Sequence, residues 1–248
     1  MPPPRLPKGN QPPMPRMKRD VEAEDAPQGS EWKENLVALI VVAIVAVSAY
    51  LLLSGTLFPE PVPVPLENRT FLISTGGDPR LGSDDAPVTI IAFIDYDSPS
   101  CNDFMRDTLP RLKMDYLDPG TASLVIRNFP LEIHADALPL AIAATCADDQ
   151  GKFWEMHDAI FAHDGAFTSA WMGETARHLG LDAASFAACN ADPATASRID
   201  EDVREAITAG GVSSVPTFFI DGRRLVGNRP YEEFTALIDR GAAQSGKI

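Results

Sequence analysis

The residue types best suited to chemistry are Ser98 and Cys101, three positions apart in Asp95-Tyr-Asp-Ser-Pro-Ser-Cys101. A thiol at a helix start can be held as thiolate by the backbone N–H groups and dipole there, which makes it a nucleophile toward sulfur. A hydroxyl cannot follow. The dipole supplies about 0.3–2 kcal/mol, far short of what an alkoxide needs near neutral pH. A dithiol cycle needs two sulfurs, one to attack and one to resolve the mixed disulfide. With oxygen at Ser98, that two-electron cycle is closed to the sequence as it stands. A serine hydrolase is disfavoured too, because Ser98 lacks a Gly-x-Ser-x-Gly elbow and an identifiable histidine partner.

The elements that must position these residues are legible around them. Val88 to Ile94 is an unbroken apolar, β-branched run, the pattern of a strand buried on both faces. Asp97 and Ser98 offer cap-type side chains, and Pro99 suits a first helical turn. From Asn102 to Tyr116, apolar Phe104, Met105, Leu109, Leu112 and Tyr116 keep one helix face apolar. Ser98 and Cys101 therefore belong at a strand-to-helix junction.

The stretch from Gly82-Ser-Asp-Asp-Ala-Pro through Ile94-Asp-Tyr-Asp to Pro99-Ser-Cys101 resembles the opening of the DsbA-like thiol–disulfide oxidoreductases of the thioredoxin superfamily. So do Arg127-Asn-Phe-Pro-Leu-Glu-Ile-His134, Ala143-Ala-Thr-Cys-Ala147 and Gln150-Gly-Lys-Phe-Trp-Glu-Met-His157. The likeness extends over about residues 81 to 243. It implies an α/β fold: a thioredoxin-like core with a helical insertion at about 131–209. It also implies that Cys146 and Cys189 form a structural disulfide, with two buried thiols as the alternative. Val215-Pro216 resembles the family's cis-proline loop, which lies opposite the cysteine motif. Pro99, Ser100, Val215 and Pro216 would then line a groove that holds an extended segment by backbone pairing. Asp95 stands where relatives carry an acidic residue beneath the motif. There it tunes the thiol or relays a proton, or else it is a helix-capping carboxylate.

The departure is the first motif cysteine, replaced here by Ser98. Three readings stay open. The domain keeps the fold and groove as a partner-binding or assembly module; Cys101 acts alone through a mixed disulfide; or an active disulfide oxidoreductase is represented by a Cys-to-Ser form at position 98.

Composition narrows the partners. The chain has 248 residues and a formal net charge of -14, and its first 35 residues hold equal numbers of Lys/Arg and Asp/Glu. The acidity thus belongs to the part beyond the apolar segment, and a nucleic-acid partner is not expected. His134, His157, His163 and His178 show no metal-ligand spacing and read as surface or packing residues; no metal and no cofactor are implied. Phe153, Trp154 and Met156 read as helix core. Three cysteines leave one unpaired if two are bridged.

Taken in order, residues 1–35 are Pro-rich and of mixed charge, an expected disordered cytoplasmic tail. Residues 36–58 carry the uncharged Leu36–Leu53 run, enough to cross about 30 Å of hydrocarbon. Trp32, Tyr50 and Phe58 suit its interfaces. No small-x-small site follows, so an uncut anchor is expected and not a cleaved signal peptide. Lys18, Arg19 and Lys33 on the near side, against Arg69 beyond, put the N-terminus in the cytoplasm and the domain outside. With the resemblance, this implies a single-pass protein of a bacterial cytoplasmic membrane with a periplasmic domain. Residues 59–80 form an extracytoplasmic linker, semi-rigid at Pro59–Pro65. The domain follows at 81–248, with a short edge strand expected at Thr70–Ser74. Strands are expected at Ser123–Arg127, Thr217–Ile220 and Arg223–Val226, the last two around an Asp221-Gly222 hairpin turn. Helices are expected over 134–148, 152–163, 171–179, 183–190, 194–209 and 231–239.

Overall fold

The structure, a computed structural model, describes residues 31–53, 70–75 and 77–246. The expected tail before residue 31, the Pro59–Pro65 spacer, and the interface roles of Trp32 and Phe58 lie outside the described residues. Two compact units are distinguished, residues 1–62 and 63–248.

In the first unit, helix α1 runs Glu31–Leu53. It starts inside the expected tail, because Glu31, Lys33 and Glu34 are good helix formers that extend the apolar run backwards. Its Asn35–Leu52 stretch is 18 residues long with none of it buried. At 1.5 Å per residue it reaches roughly 27 Å, close to the hydrocarbon thickness of a bilayer.

The second unit is built on one five-stranded sheet in the order β1-β3-β2-β4-β5. These strands are β1 Arg80–Gly82, β2 Val88–Ile94, β3 Ala122–Asn128, β4 Thr217–Ile220 and β5 Arg223–Val226. β2 pairs parallel with β3 and antiparallel with β4, so the two most apolar runs take the middle of the sheet. β2 and β3 are buried on both faces, β2 as its apolar and β-branched sequence requires, β3 with Ser123, Arg127 and Asn128 buried alongside its apolar centre. On one face Phe218 packs against Phe104 and Phe234, with ring centroids 4.6 and 4.9 Å away. On the other, Phe219 meets Phe71 and Phe93 at 5.2 and 5.9 Å. Each such burial is worth about 1.5–3 kcal/mol.

The helix after β2 is not the regular one expected over 102–116. It alternates α2 Pro99–Asp103, a π-helical turn Phe104–Thr108, α3 Leu109–Leu112 and a second π-helical turn Lys113–Leu117. Pro110 explains the first widening: it has no N–H for the Arg106 carbonyl, and its ring crowds a normal turn, so the ladder resets with Leu109 N–H bonded to the Phe104 carbonyl. The expected edge strand at Thr70–Ser74 is likewise absent. That segment is irregular, and its Phe71 N–H donates to the carbonyl of Gly222, in the turn between β4 and β5, at 2.8 Å.

Between β3 and β4 lie α4 Ala137–Asp148, α5 Phe153–Phe161, α6 Ser169–His178, α7 Ala183–Ala191 and α8 Pro193–Thr208. α4 packs against α5, α7 and α8, and its alanines allow close approach on several sides. Cys146 of α4 and Cys189 of α7 form a disulfide with Cα atoms 5.7 Å apart. Phe153 and Met156 are buried and Trp154 is half-buried. Asp221 and Gly222 both take positive φ, 47° and 74°, which is the two-residue turn their sequence called for. α9 Tyr231–Gln244 closes the chain on the sheet and runs further than the expected residue 239.

Candidate functional site

Ser98 ends the loop that leaves β2 and caps α2 with extended backbone, φ -86° and ψ 122°. Its Oγ accepts the Cys101 N–H at 3.4 Å, and its carbonyl accepts the Asn102 N–H at 3.0 Å. Ser98 is 4% exposed and Cys101 0%, while Pro99 between them is exposed. Cys101 is the free cysteine among the described residues. Its Sγ accepts the Asp95 N–H at 3.4 Å. Burial pushes the thiol up to about 12; the hydrogen bonds from Asp95 N–H and at Ser98 oppose this, and the Asp95 charge adds to it. A helix start favours thiolate in principle, yet at Cys101 desolvation wins.

Asp95 does not cap a helix; Ser98 does. The buried Asp95 carboxylate accepts the N–H groups of Asp97 and Leu131 at 2.8 and 2.9 Å, and lies 2.7 Å from His134 Nδ1. Asp97, expected as a cap-type side chain, accepts the N–H of Asp136 at 3.1 Å. The two acids thus bind the motif loop to the loop after β3. His134 is not simply a surface or packing residue. It gives Asp95 a histidine partner, but Ser98 Oγ is engaged with Cys101 N–H and no Ser–His hydrogen bond completes a hydrolytic triad.

Sequence reasoning also missed how Tyr96 is used. Its hydroxyl lies 3.0 Å from Nδ1 of His157, a residue burial pushes down to about 3 and so keeps neutral. The pair fixes the motif loop to α5, with Phe161 5.2 Å from the Tyr96 ring. Its only sequence signal was the resemblance of the Gln150–His157 stretch, which did not name a partner for the histidine.

The Val215–Pro216 peptide is cis. Phe93 pairs with Thr217, so Pro216 stands one register step beyond, at the end of β2 from which the motif loop emerges. The Pro216 carbonyl accepts the Gly227 N–H at 2.7 Å. Among the described residues neither the N–H nor the carbonyl of Val215 has a hydrogen-bond partner. Asp95, Ser98, Pro99, Ser100 and Cys101 therefore share one turn, with Val215 and Pro216 on the adjacent strand end. Cys146 and Cys189 sit apart, in the helical block.

A second polar centre was not foreseen. Arg127, at the end of β3, pairs with Asp202 and Glu205 of α8 and with Asp78 at 3.3 Å. It also donates to the Ser74 carbonyl at 3.2 Å, and so holds the segment preceding β1 against α8. Burial pushes the Asp78 carboxyl up to about 6; Arg127 opposes this, but Asp202 and Glu205 share its charge.

A family model described as Thioredoxin matches residues 74–240. The chain belongs to the thioredoxin family. Its fold, a thioredoxin core with a helical insertion, is DsbA-like. It is 27% identical over 176 residues, 67% of this chain and 78% of the relative, to disulfide bond formation protein D of Bacillus subtilis. The crystal structure of oxidised BdbD from the same organism superimposes with a TM-score of 0.63 at 23% identity, over 70% of this chain and 97% of that one. A 158-residue stretch is 37% identical to the Na(+)/H(+) antiporter NhaA 1 of Salinispora arenicola; it is 63% of this chain but only 24% of the antiporter. In this DsbA-like protein the thioredoxin core, the helical insertion and the cis-proline accompany a motif that retains one sulfur.

Proposed function

We propose that the chain is a membrane-anchored, extracytoplasmic DsbA-like domain that holds an extended segment of a partner protein and does not turn over disulfides. The observation that carries this reading is Ser98 at the attacking position, above a Cys101 that is fully buried and protonated. The groove would be formed by Pro99, Ser100, Val215 and Pro216, with the backbone groups of Val215, which have no hydrogen-bond partner among the described residues, ready to bond a peptide strand. α1 would be the single-pass anchor, with residues 1–35 cytoplasmic and 59–80 as spacer. An extracytoplasmic position agrees with the Cys146–Cys189 disulfide. The likeness to a limited stretch of proteins named as antiporters supports a domain that accompanies a membrane protein.

Insulin reduction and dithiol oxidation by the full chain in detergent micelles test this. No turnover is expected above the rate without protein. Multiple turnovers would end the proposal.

A second reading is favoured by the frame itself: helix cap, buried second thiol and cis-proline are all in place for a sulfur at position 98. On that reading the lineage's oxidase activity returns with Ser98→Cys alone. A Ser98→Cys protein that stays inert would remove it.

A further inference from the structure

A cavity of about 350 Å³ opens between the helix that follows the motif and α5. Its wall is apolar at Met105, Leu109 and Phe161, and its rim carries the exposed Arg106, Asp158 and Asp164. Ser98 to Cys101, Val215 and Pro216 do not line it, so it is a compartment separate from the cis-proline groove. The most deeply buried residue of its lining is His157, 1% exposed. That ring packs among Phe153, Trp154 and Phe161, with centroids 5.6, 5.2 and 4.9 Å away.

His157 has one nitrogen to spare. Nδ1 meets the Tyr96 hydroxyl at 3.0 Å, whereas Nε2 is buried with no hydrogen-bond partner among the described residues. Burial pushes the Tyr96 phenol up, so it keeps its proton, and among the described residues that proton has no acceptor but Nδ1. Tyr96 therefore donates to Nδ1, and the imidazole proton is left on Nε2. Nε2 projects from the ring on the side away from Nδ1, and the cavity is lined by His157 but not by Tyr96. A buried N–H without an acceptor is costly, and an acceptor entering the cavity recovers that cost.

We infer that this cavity binds a small neutral molecule of aromatic size, whose carbonyl oxygen accepts the His157 Nε2–H while its apolar body lies against Met105, Leu109 and Phe161. His157 presents a donor, so the ligand must bring an acceptor, and a cation has nothing to bond there. Burial pushes the imidazole down to about 3 and keeps it neutral, so it offers an anion no counter-charge. Two aspartates against one arginine at the rim disfavour an anion further. The flexible thioether of Met105 suits an irregular apolar guest, and the volume falls in the range of small-molecule sites. This site is independent of the partner-binding role and adds a second kind of ligand to the domain.

Titration of the full chain in detergent micelles, carrying isotope-labelled histidine for NMR, tests it with three probes at matched free concentrations. These are acetophenone, cumene, in which an isopropyl group replaces the acetyl carbonyl, and benzoate. Acetophenone is expected to bind about tenfold tighter than cumene, equivalent to about 1.4 kcal/mol. It should also move the His157 Nε2–H signal downfield, which cumene should not. Benzoate should bind more weakly than acetophenone. Ala162→Trp, at an exposed position of the lining, should fill the cavity and weaken acetophenone by about tenfold or more. Tyr96→Phe removes the donor that fixes the tautomer, so the advantage of acetophenone over cumene should fall to about threefold or less. Equal binding of acetophenone and cumene, or an Nε2–H signal unmoved at saturation, would overturn the assignment without recourse to any variant. Benzoate binding as tightly as acetophenone would overturn the neutral class, and acetophenone binding unchanged in Ala162→Trp would place the site elsewhere. Failure of every probe to bind would show that the cavity holds water only and overturn it too.

Discussion

The shelter of Cys101 makes a quantitative prediction about its reactivity. With the thiol at about 12, roughly one molecule in 10⁵ carries a thiolate at pH 7, against about 3% for an ordinary thiol near 8.5. The protonation deficit is therefore about 3,000-fold. A more basic thiolate is intrinsically more nucleophilic, with a Brønsted slope of about 0.4–0.5, and this returns about 30–50-fold. The net penalty is close to two orders of magnitude before access is counted, and Cys101 is 0% exposed. Because Cys146 and Cys189 are bridged, alkylation reports Cys101 alone. Iodoacetamide at pH 7, followed by intact-mass spectrometry, should label the native chain at least 100-fold more slowly than glutathione. The rate should climb about tenfold per pH unit while the fold persists. Urea should abolish the protection. Native labelling within tenfold of glutathione would refute both the burial and the protonation argument, and would revive Cys101 as a thiol acting alone.

Other outcomes follow from the same geometry. Arg127→Met should destabilise the domain by about 3–5 kcal/mol in urea unfolding, because it leaves Asp78, Asp202 and Glu205 facing one another; a loss below about 1 kcal/mol would show the cluster to be solvated. Asp78 has a folded value of about 6, above its ordinary one, so its stabilising contribution is complete below about pH 4 and is lost as pH rises through 6. The urea midpoint should therefore gain from acidification between pH 7 and 5 more in the parent than in Asp78→Asn, and identical pH slopes would exclude this carboxyl. Joint replacement of Cys146 and Cys189 by serine should cost about 2–4 kcal/mol, read as a lowered Tm without reductant and no further fall with it. Gly222→Ala should cost more than about 1 kcal/mol, since φ is +74° and the new Cβ would meet Thr70 Cγ2 at 2.6 Å and the Phe71 carbonyl at 2.9 Å; an unchanged unfolding midpoint would mean that the segment before β1 is not seated there.

The strands were legible because each is a local pattern. Val88–Ile94 and Thr217–Ile220 hold only apolar and β-branched residues, as suits central strands, and Asp221-Gly222 names its own turn. The helix after the motif was legible as a helix but not in its winding, which Pro110 decides together with what packs around it. The motif turn could be read because Ser98, Pro99 and Cys101 are close in sequence. The groups that hold it could not. Tyr96 and His157 are 61 residues apart, Asp95 and His134 are 39 apart, and Arg127 is 75 from Asp202. Nothing in local periodicity selects one histidine of four, or one acid of many, as the partner of a given side chain.

The lacing of the motif turn has a consequence for how such a protein can change trade. Asp95 and Asp97 pin the turn to Leu131, His134 and Asp136, and Tyr96 pins it to His157, all through oxygen and nitrogen. None of these ties passes through the side chain of residue 98. On the reading proposed above, a single-atom exchange there would silence an engine without loosening its housing, and a lineage could pass from catalyst to receptor, and back again, in one step.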